Sequence, residues 1–445
     1  MSMERTPAQR RLRLLLGGVG GAAGGVWGAV SLVLVQDGSA AAVLAGRAEP
    51  EALALVVALL AAVPVGSLLG AVPLDLLSHA VGRRPAVLVS AVLVILGSLL
   101  GGVTHSWGRP VGALIAGLGL GGYAVVAPKL AHELAARGHR RLVPRLSGLL
   151  PAGAGTALVL GELTRRWKPE EGPVGAWIVP LILAVAVLLL AIGLPETPHW
   201  YAAHGRVEAA LASLRRMSGA LEAAVGIDWV LMDAGTLGEQ HPLTAADLRI
   251  DRVRRTVLVG LVLELAQALP MGLAAICLAP ALLAQGATEP PLAAVVVLAA
   301  AWGVLGVLSL RRQPGRMLLA WVVAGTGVAA CGVVLLFVLD GLDGPGARLL
   351  VLVVTTMLVA AQYVGIAPAC TGGTDPLVPP WLLRSQRRAE AVLRPLVQLV
   401  TVLLPTVLLG SGVSVKATLG AVLALQVVGL LGLLGALGRI NAALR

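Results

Sequence analysis

Ala176-Trp-Ile-Val-Pro-Leu-Ile-Leu-Ala-Val-Ala-Val-Leu-Leu-Leu-Ala-Ile-Gly-Leu194 runs for 19 residues without a charge, and Pro195-Glu-Thr-Pro-His-Trp200 follows at once. A run of that length crosses the roughly 30 Å hydrocarbon core of a bilayer as a helix, which satisfies every backbone group internally. Beyond it lies a segment of a different kind, Arg206-Val-Glu-Ala-Ala-Leu-Ala-Ser-Leu-Arg-Arg-Met217. Its Val207, Ala210, Leu211 and Leu214 recur at helical spacing with charges on the other face, the pattern of a surface helix. A membrane span that ends on an amphipathic surface helix therefore stands near the middle of the 445-residue chain.

Working outward, apolar runs broken by charged or turn-rich segments give twelve spans: 14–36, 53–74, 86–103, 111–128, 142–162, 176–194, 256–284, 291–310, 317–339, 347–368, 393–411 and 417–438. The expected fold class is an all-α integral membrane protein with twelve transmembrane helices in two six-helix halves. Residues 1–194 form one half, 195–255 a connection, and 256–445 the other half. Composition agrees: 57% of residues are hydrophobic and 13% charged, against about 45–50% and 25% in soluble domains. Soluble, disordered and disulfide-scaffold classes are excluded, and long apolar runs rather than period-two alternation exclude a barrel. Cys277, Cys331 and Cys370 lie in or beside apolar runs without metal-ligand spacing and read as packing residues.

The net charge of +11 reads as membrane orientation rather than nucleic-acid binding. With the N-terminus inside, 27 of the 34 basic residues fall in inside segments. The positive-inside rule then places both termini and the 195–255 connection in the cytoplasm. The basic N-terminus leads into an apolar run reaching Val35, too long for a signal-peptide core, so it reads as the first span. One phenylalanine, three lysines and many Ala, Gly, Arg and Pro residues suggest a GC-rich coding sequence, hence a bacterium and its inner (plasma) membrane. Gly82-Arg-Arg84 after the second span and Arg311-Arg-Gln-Pro-Gly-Arg316 after the eighth stand at matching places, as two parallel repeats require.

Four segments carry a family resemblance. Leu77-Ser-His-Ala-Val-Gly-Arg-Arg-Pro-Ala86 is similar to a GxxxDxxGRR loop, with His79 in place of the aspartate. Gly117-Leu-Gly-Leu-Gly121 through Pro128-Lys-Leu-Ala-His-Glu-Leu-Ala-Ala-Arg-Gly-His-Arg-Arg141 looks like the end of helix 4 and the acidic turn after it. Pro195-Glu-Thr-Pro-His-Trp200 is similar to a PESPRW signature, and Gly205-Arg-Val-Glu-Ala-Ala-Leu211 to the helix that continues it. The chain resembles the major facilitator superfamily, and within it the sugar-porter branch. Residues usual in that branch are replaced: Val26 stands near the helix 1 carboxylate position and Ala113 at the helix 4 arginine. Ser147 stands near a helix 5 glutamine. Of three helix 7 amides, at Ala266, Gln267 and Gly272, one remains. The helix 10 tryptophan is absent, and a Pro- and Gly-rich insertion, Ala369–Pro380, stands nearby.

Polar groups at membrane depth face a cavity or a partner. The candidate substrate-binding residues are Glu264 and Gln267, Gln362 and Tyr363, Gln398, and the tryptophans Trp27 and Trp302. Glu162 reads as a solvated helix end. Arg83, Arg84, Glu133, Arg141 and Glu196 come from turns that the fold brings together, where carboxylates beside guanidiniums form charge-assisted bonds; they are the expected cytoplasmic gate. Gly21 and Gly25 form a GxxxG pair permitting close helix contact. There is no phosphate loop, HExxH or CxxC pair, so neither enzyme chemistry nor a metal or cofactor is expected. The resemblance implies a transporter moving a small solute by alternating access, read here as facilitative and monomeric, with the lipid bilayer and the solute as partners. Two alternatives stay open: a proton-coupled exporter of amphiphilic compounds, and a non-transporting receptor or complex subunit with the same fold.

Overall fold

The computed structural model describes residues 6–36, 50–102, 107–134, 149–168, 174–238, 247–267, 292–311, 345–366 and 380–411, with scattered positions from 413 to 435. The first six spans are helices: α1 (Pro7–Gln36), α2 (Pro50–Ala80), α3 (Arg83–Gly101), α4 (Gly108–Leu134), α5 (Leu149–Trp167) and α6 (Val174–Ile192). The connection supplies α7 (Pro198–Ala203), α8 (Val207–Ser218) and α9 (Ala220–Gly238). Then come α10 (Asp251–Gln267), α11 (Leu292–Arg311), α12 (Pro345–Val359) with a π-helical continuation at Ala360–Ile366, and α13 (Pro380–Gly410). The expected span 317–339 lies outside the described residues, as does most of 417–438. Five described helices are long and apolar enough to cross a membrane: Pro7–Leu34, Leu53–Ala80, Arg83–Gly101, Gly108–Leu134 and Val174–Ile192.

Several boundaries differ from the sequence reading, and charge is the reason. The second span does not stop at residue 74. It continues through Pro73 for a further turn and a half, carrying Asp75 and His79 inside the helix. Glu133 belongs to the last turn of α4, not to a turn after it. The fifth helix ends at Trp167 rather than 162, because Arg165 and Arg166 extend it. The basic stretch 380–392, expected as a loop, opens the 31-residue helix α13, with Pro380 at a first position where its missing N–H costs nothing.

Lipid offers helices no hydrophobic incentive to associate, so packing rests on close backbone approach at small residues. Around α1 this is direct. Gly24 and Gly28 face α5, where a Cβ at Gly24 would overlap the Leu150 carbonyl. Gly21 and Gly25 face α6 at Leu183 and Pro180. The outward faces are apolar in turn: Leu14, Leu69, Leu99, Ile182 and Leu189 are all exposed, as lipid contact demands.

The halves meet along two seams. α5 packs on α11, and α2 packs on α13. At Gly155 an added Cβ would stand 2.9 Å from the Ala299 Cα, so α5 and α11 touch nearly backbone to backbone.

Candidate gate and binding site

The charge cluster expected as a gate is built around the N-terminus of α3. Gly82 precedes it with φ 129°, a conformation that side chains strain to adopt, and a Cβ there would also strike the Glu196 carboxylate. Glu196 accepts hydrogen bonds from the backbone N–H groups of Arg83 (3.0 Å), Arg84 (3.0 Å) and Thr197 (2.8 Å). A carboxylate thus caps the positive end of a helix dipole. Burial pushes the Glu196 carboxyl up from its ordinary value, against the pull of those three N–H donors and the Arg83 charge.

The side chains then spread outward. Arg83 donates from Nε and Nη2 to one Glu133 oxygen, at 3.3 and 3.2 Å, and from Nη1 to the Ser78 carbonyl at 2.9 Å. Arg84 turns away from both carboxylates; its guanidinium donates to the carbonyls of Ala191 (3.1 Å) and Ile192 (2.8 Å) at the end of α6. The Ala191 carbonyl also accepts from the Leu194 N–H at 3.2 Å, so the guanidinium adds a second donor at the end of α6. The Ser213 hydroxyl of α8 donates to the Glu196 carbonyl at 2.5 Å, and the Trp200 indole of α7 to the His79 carbonyl at 3.0 Å. Of the five expected gate residues, the structure brings Arg83, Glu133 and Glu196 together, gives Arg84 to α6 through its side chain, and leaves Arg141 outside the described residues.

A second cluster lies one turn deeper and was missed in the sequence. Asp75 of α2, buried, forms an ion pair with Lys129 of α4, also buried. His79 Nε2 lies 3.7 Å from the Asp75 carboxylate and 3.5 Å from the Lys129 Nζ. The signal was available: Asp75 and His79 are four apart, as are Lys129 and Glu133, so each pair shares one face of its helix. Glu162 is a correction. It is fully buried rather than solvated, and takes bonds from Arg165 at 2.7 Å and Arg166 at 2.8 Å.

The expected binding residues fall mainly on elements that meet. The π-helical turn carrying Gln362 and Tyr363, both buried, packs against α11 and α10. A π turn widens the helix by one residue and commonly marks a functional position. Trp302 of α11 is completely buried, and its indole N–H has no hydrogen-bond partner among the described residues. Glu264 and Gln267 lie in the last turns of α10, where their side chains are outside the described residues. Gln398 is half-buried in the middle of α13. Trp27 of α1, in the other half, is buried in the same hydrophobic core as Trp302 and Tyr363.

Residues 10–372 match the family described as "Sugar (and other) transporter". The chain belongs to that family. The sugar-transporter family chain is also similar to individual curated proteins over its more alike part. "Probable polyol transporter 6" of Arabidopsis thaliana is 32% identical over 183 residues, 37% of this chain and 35% of that protein. "Myo-inositol transporter 1" of Candida albicans is 30% identical over 159 residues, 35% of this chain and 28% of that protein. The chain thus spans about a third of the length of these relatives. Its fold matches a partially occluded, inward-open structure of the xylose transporter XylE from E. coli. That match has a TM-score of 0.70 and 18% identity, covering 94% of this chain and 97% of that one. The family chain is therefore a multi-pass membrane protein with the all-helical architecture of the major facilitator superfamily.

Proposed function

We propose that the protein moves a small polyhydroxylated solute, of the sugar or polyol class, across the membrane by alternating access of its two halves. The observation that carries the reading is the Trp302 indole N–H, a buried donor without an acceptor among the described residues, on the helix that abuts the π turn of Gln362 and Tyr363. An unmet buried donor is costly, and a hydroxyl-rich solute is rich in acceptors. Glu264, Gln267 and Gln398 complete the proposed site from α10 and α13, with Trp27 facing it from the first half. The Arg83–Glu133–Glu196 cluster, with Arg84 and Arg141, is the proposed gate at the cytoplasmic end. The distribution of basic residues supports cytoplasmic termini, and the GC-rich residue bias supports a bacterial plasma membrane. Transport is read as facilitative because the buried acids Asp75 and Glu162 are each held by cations, which leaves Glu264 as the acid that could carry a proton.

Ligand-dependent thermal shift of the purified protein across xylose, glucose, myo-inositol and sorbitol tests the reading, because binding to the native state alone raises stability. Trp302→Phe should leave unliganded stability unchanged or slightly higher and weaken binding by about 5- to 10-fold, the loss of one net hydrogen bond of ~1 kcal/mol. Silence across all four solutes would favour the non-transporting reading. Unaltered affinity in Trp302→Phe would remove the tryptophan from the site.

A further inference from the structure

The last helix of the connection, α9, shows an apolar surface that the fold leaves open. Leu221 is 83% exposed, Val225 65%, Trp229 59% and Met232 66%. At 3.6 residues per turn the four fall within about 80° of one another. The opposite face, at Ala223 and Val230, is buried, and α9 packs against α7 and α8. Four large apolar side chains in one stripe form a patch of several hundred Å², the size that marks an interaction surface.

Two observations identify what covers it. The first is position. The Thr6 hydroxyl donates to the Met217 carbonyl at 2.8 Å, so the α8–α9 junction lies beside the start of α1. There Arg10, Arg11 and Arg13 give way to the apolar run from Leu14, itself 63% exposed. That change from charge to exposed apolar surface is the bilayer boundary, and the stripe begins four residues after Met217. The second is charge. Helix α9 carries Glu222, Asp228 and Asp233 and no basic residue. Surface helices that bind anionic membranes are rich in Lys and Arg on the polar face; this one would be repelled by an anionic leaflet. The exposed Glu222 and Asp228 instead suit the ammonium groups of zwitterionic headgroups.

We propose that α9 is an interfacial helix that inserts Leu221, Val225, Trp229 and Met232 into a zwitterionic bilayer surface. The tryptophan then sits at headgroup depth, where its ring is favoured. Anchoring arises from apolar insertion and not from electrostatic attraction. The connection between the halves is thereby held against the membrane plane while α8 stays docked on the helix ends.

The test uses the full chain, with Cys277, Cys331 and Cys370 replaced by alanine and a nitroxide at Val225→Cys. It is reconstituted into phosphatidylcholine bilayers and, separately, into bilayers mostly of phosphatidylglycerol. In phosphatidylcholine the label should collide more with oxygen than with a water-soluble nickel chelate. A label at Glu208→Cys on α8 should show the reverse. In phosphatidylglycerol the Val225 label should shift toward nickel. Adding Leu221→Ser and Met232→Ser should abolish the oxygen preference, while thermal stability in detergent stays unchanged. Nickel-dominated collisions in phosphatidylcholine would place the stripe in water and overturn the proposal. Shielding from both reagents would show a protein cover, a second copy included, and overturn it equally. Stronger insertion in phosphatidylglycerol would overturn the zwitterionic preference.

Discussion

The Asp75–Lys129 pair sets the strictest test at the scale of single residues. Two charges taken out of water gain from each other only what desolvation has cost, so a buried pair adds little net stability, while removing one partner leaves the other exposed to the full penalty. Lys129→Met alone should therefore destabilise the protein by about 3–5 kcal/mol, the range for breaking a buried pair. Asp75→Leu combined with Lys129→Met should cost clearly less than either single change, and thermal melting of the three variants in detergent measures this. Additive losses would mean that the two residues do not act as a pair. Glu196 gives a prediction of opposite kind. Its carboxyl binds a proton more tightly in the folded chain than in the unfolded one. Between the ordinary carboxylate pKa and its raised one, the folded state thus holds more protons, and the contribution of this group to stability falls as pH rises. Glu196→Gln should flatten that slope in the range just above the ordinary glutamate pKa of about 4.3. It should also lower stability at neutral pH by ~1–3 kcal/mol, because an amide NH2 then meets backbone donors. An unchanged slope would show that other groups set it. Arg83, Glu133 and Glu196 were legible as a cluster because motif spacing announces them. Asp75, Lys129 and Glu162 were not, since a charge at the edge of an apolar run reads as the end of the run until its partner on the neighbouring helix or turn is seen.

Among the elements, α1 carries the densest glycine pattern, and the structure divides it between two neighbours. Gly24 serves α5 and Gly25 serves α6. The sequence showed that close approach was possible but not which glycine faces which helix, since glycines on several sides of α1 suit more than one partner. Gly24→Leu should force α1 and α5 apart, at a cost of at least ~1–3 kcal/mol, the usual range for overpacking. The variant should melt earlier in detergent. Melting at the wild-type temperature would mean that the seam yields freely. The π turn at Ala360–Ile366 had no sequence signal, because the choice between α and π geometry there rests on packing with α10 and α11 rather than on composition. The N-terminal part of α13 did have one. Pro380 is a helix-start residue, but the arginines behind it made the segment look like a loop. The apolar spans themselves were legible because hydrocarbon permits only helices, so length and apolarity suffice to locate them.

Across the whole molecule the question is what drives the two halves past each other. They meet at α5–α11 and α2–α13, and in the proposed alternating access, rocking about those seams would expose the proposed site to either side in turn. Coupling to protons requires a carboxylate that loses its counter-charge in one state. Asp75 keeps Lys129 within its own half, and Glu162 keeps two arginines on its own helix. Neither pair spans a seam, so rocking the halves has no reason to break them. Uptake of a solute identified by thermal shift should therefore follow its own gradient in proteoliposomes and stop at equal concentrations. Its initial rate should be the same with and without an imposed pH difference. Oriented vesicles, in which a cysteine at Glu208 reacts with impermeant reagent from one side only, fix the direction of each measurement. Glu264, on the helix that abuts the π turn, is the residue on which a contrary result would turn. If acidifying the outside drives accumulation above equality, and Glu264→Gln abolishes that accumulation while sparing exchange, the protein is proton-coupled. The facilitative reading would then be wrong, with Glu264 as the carrier.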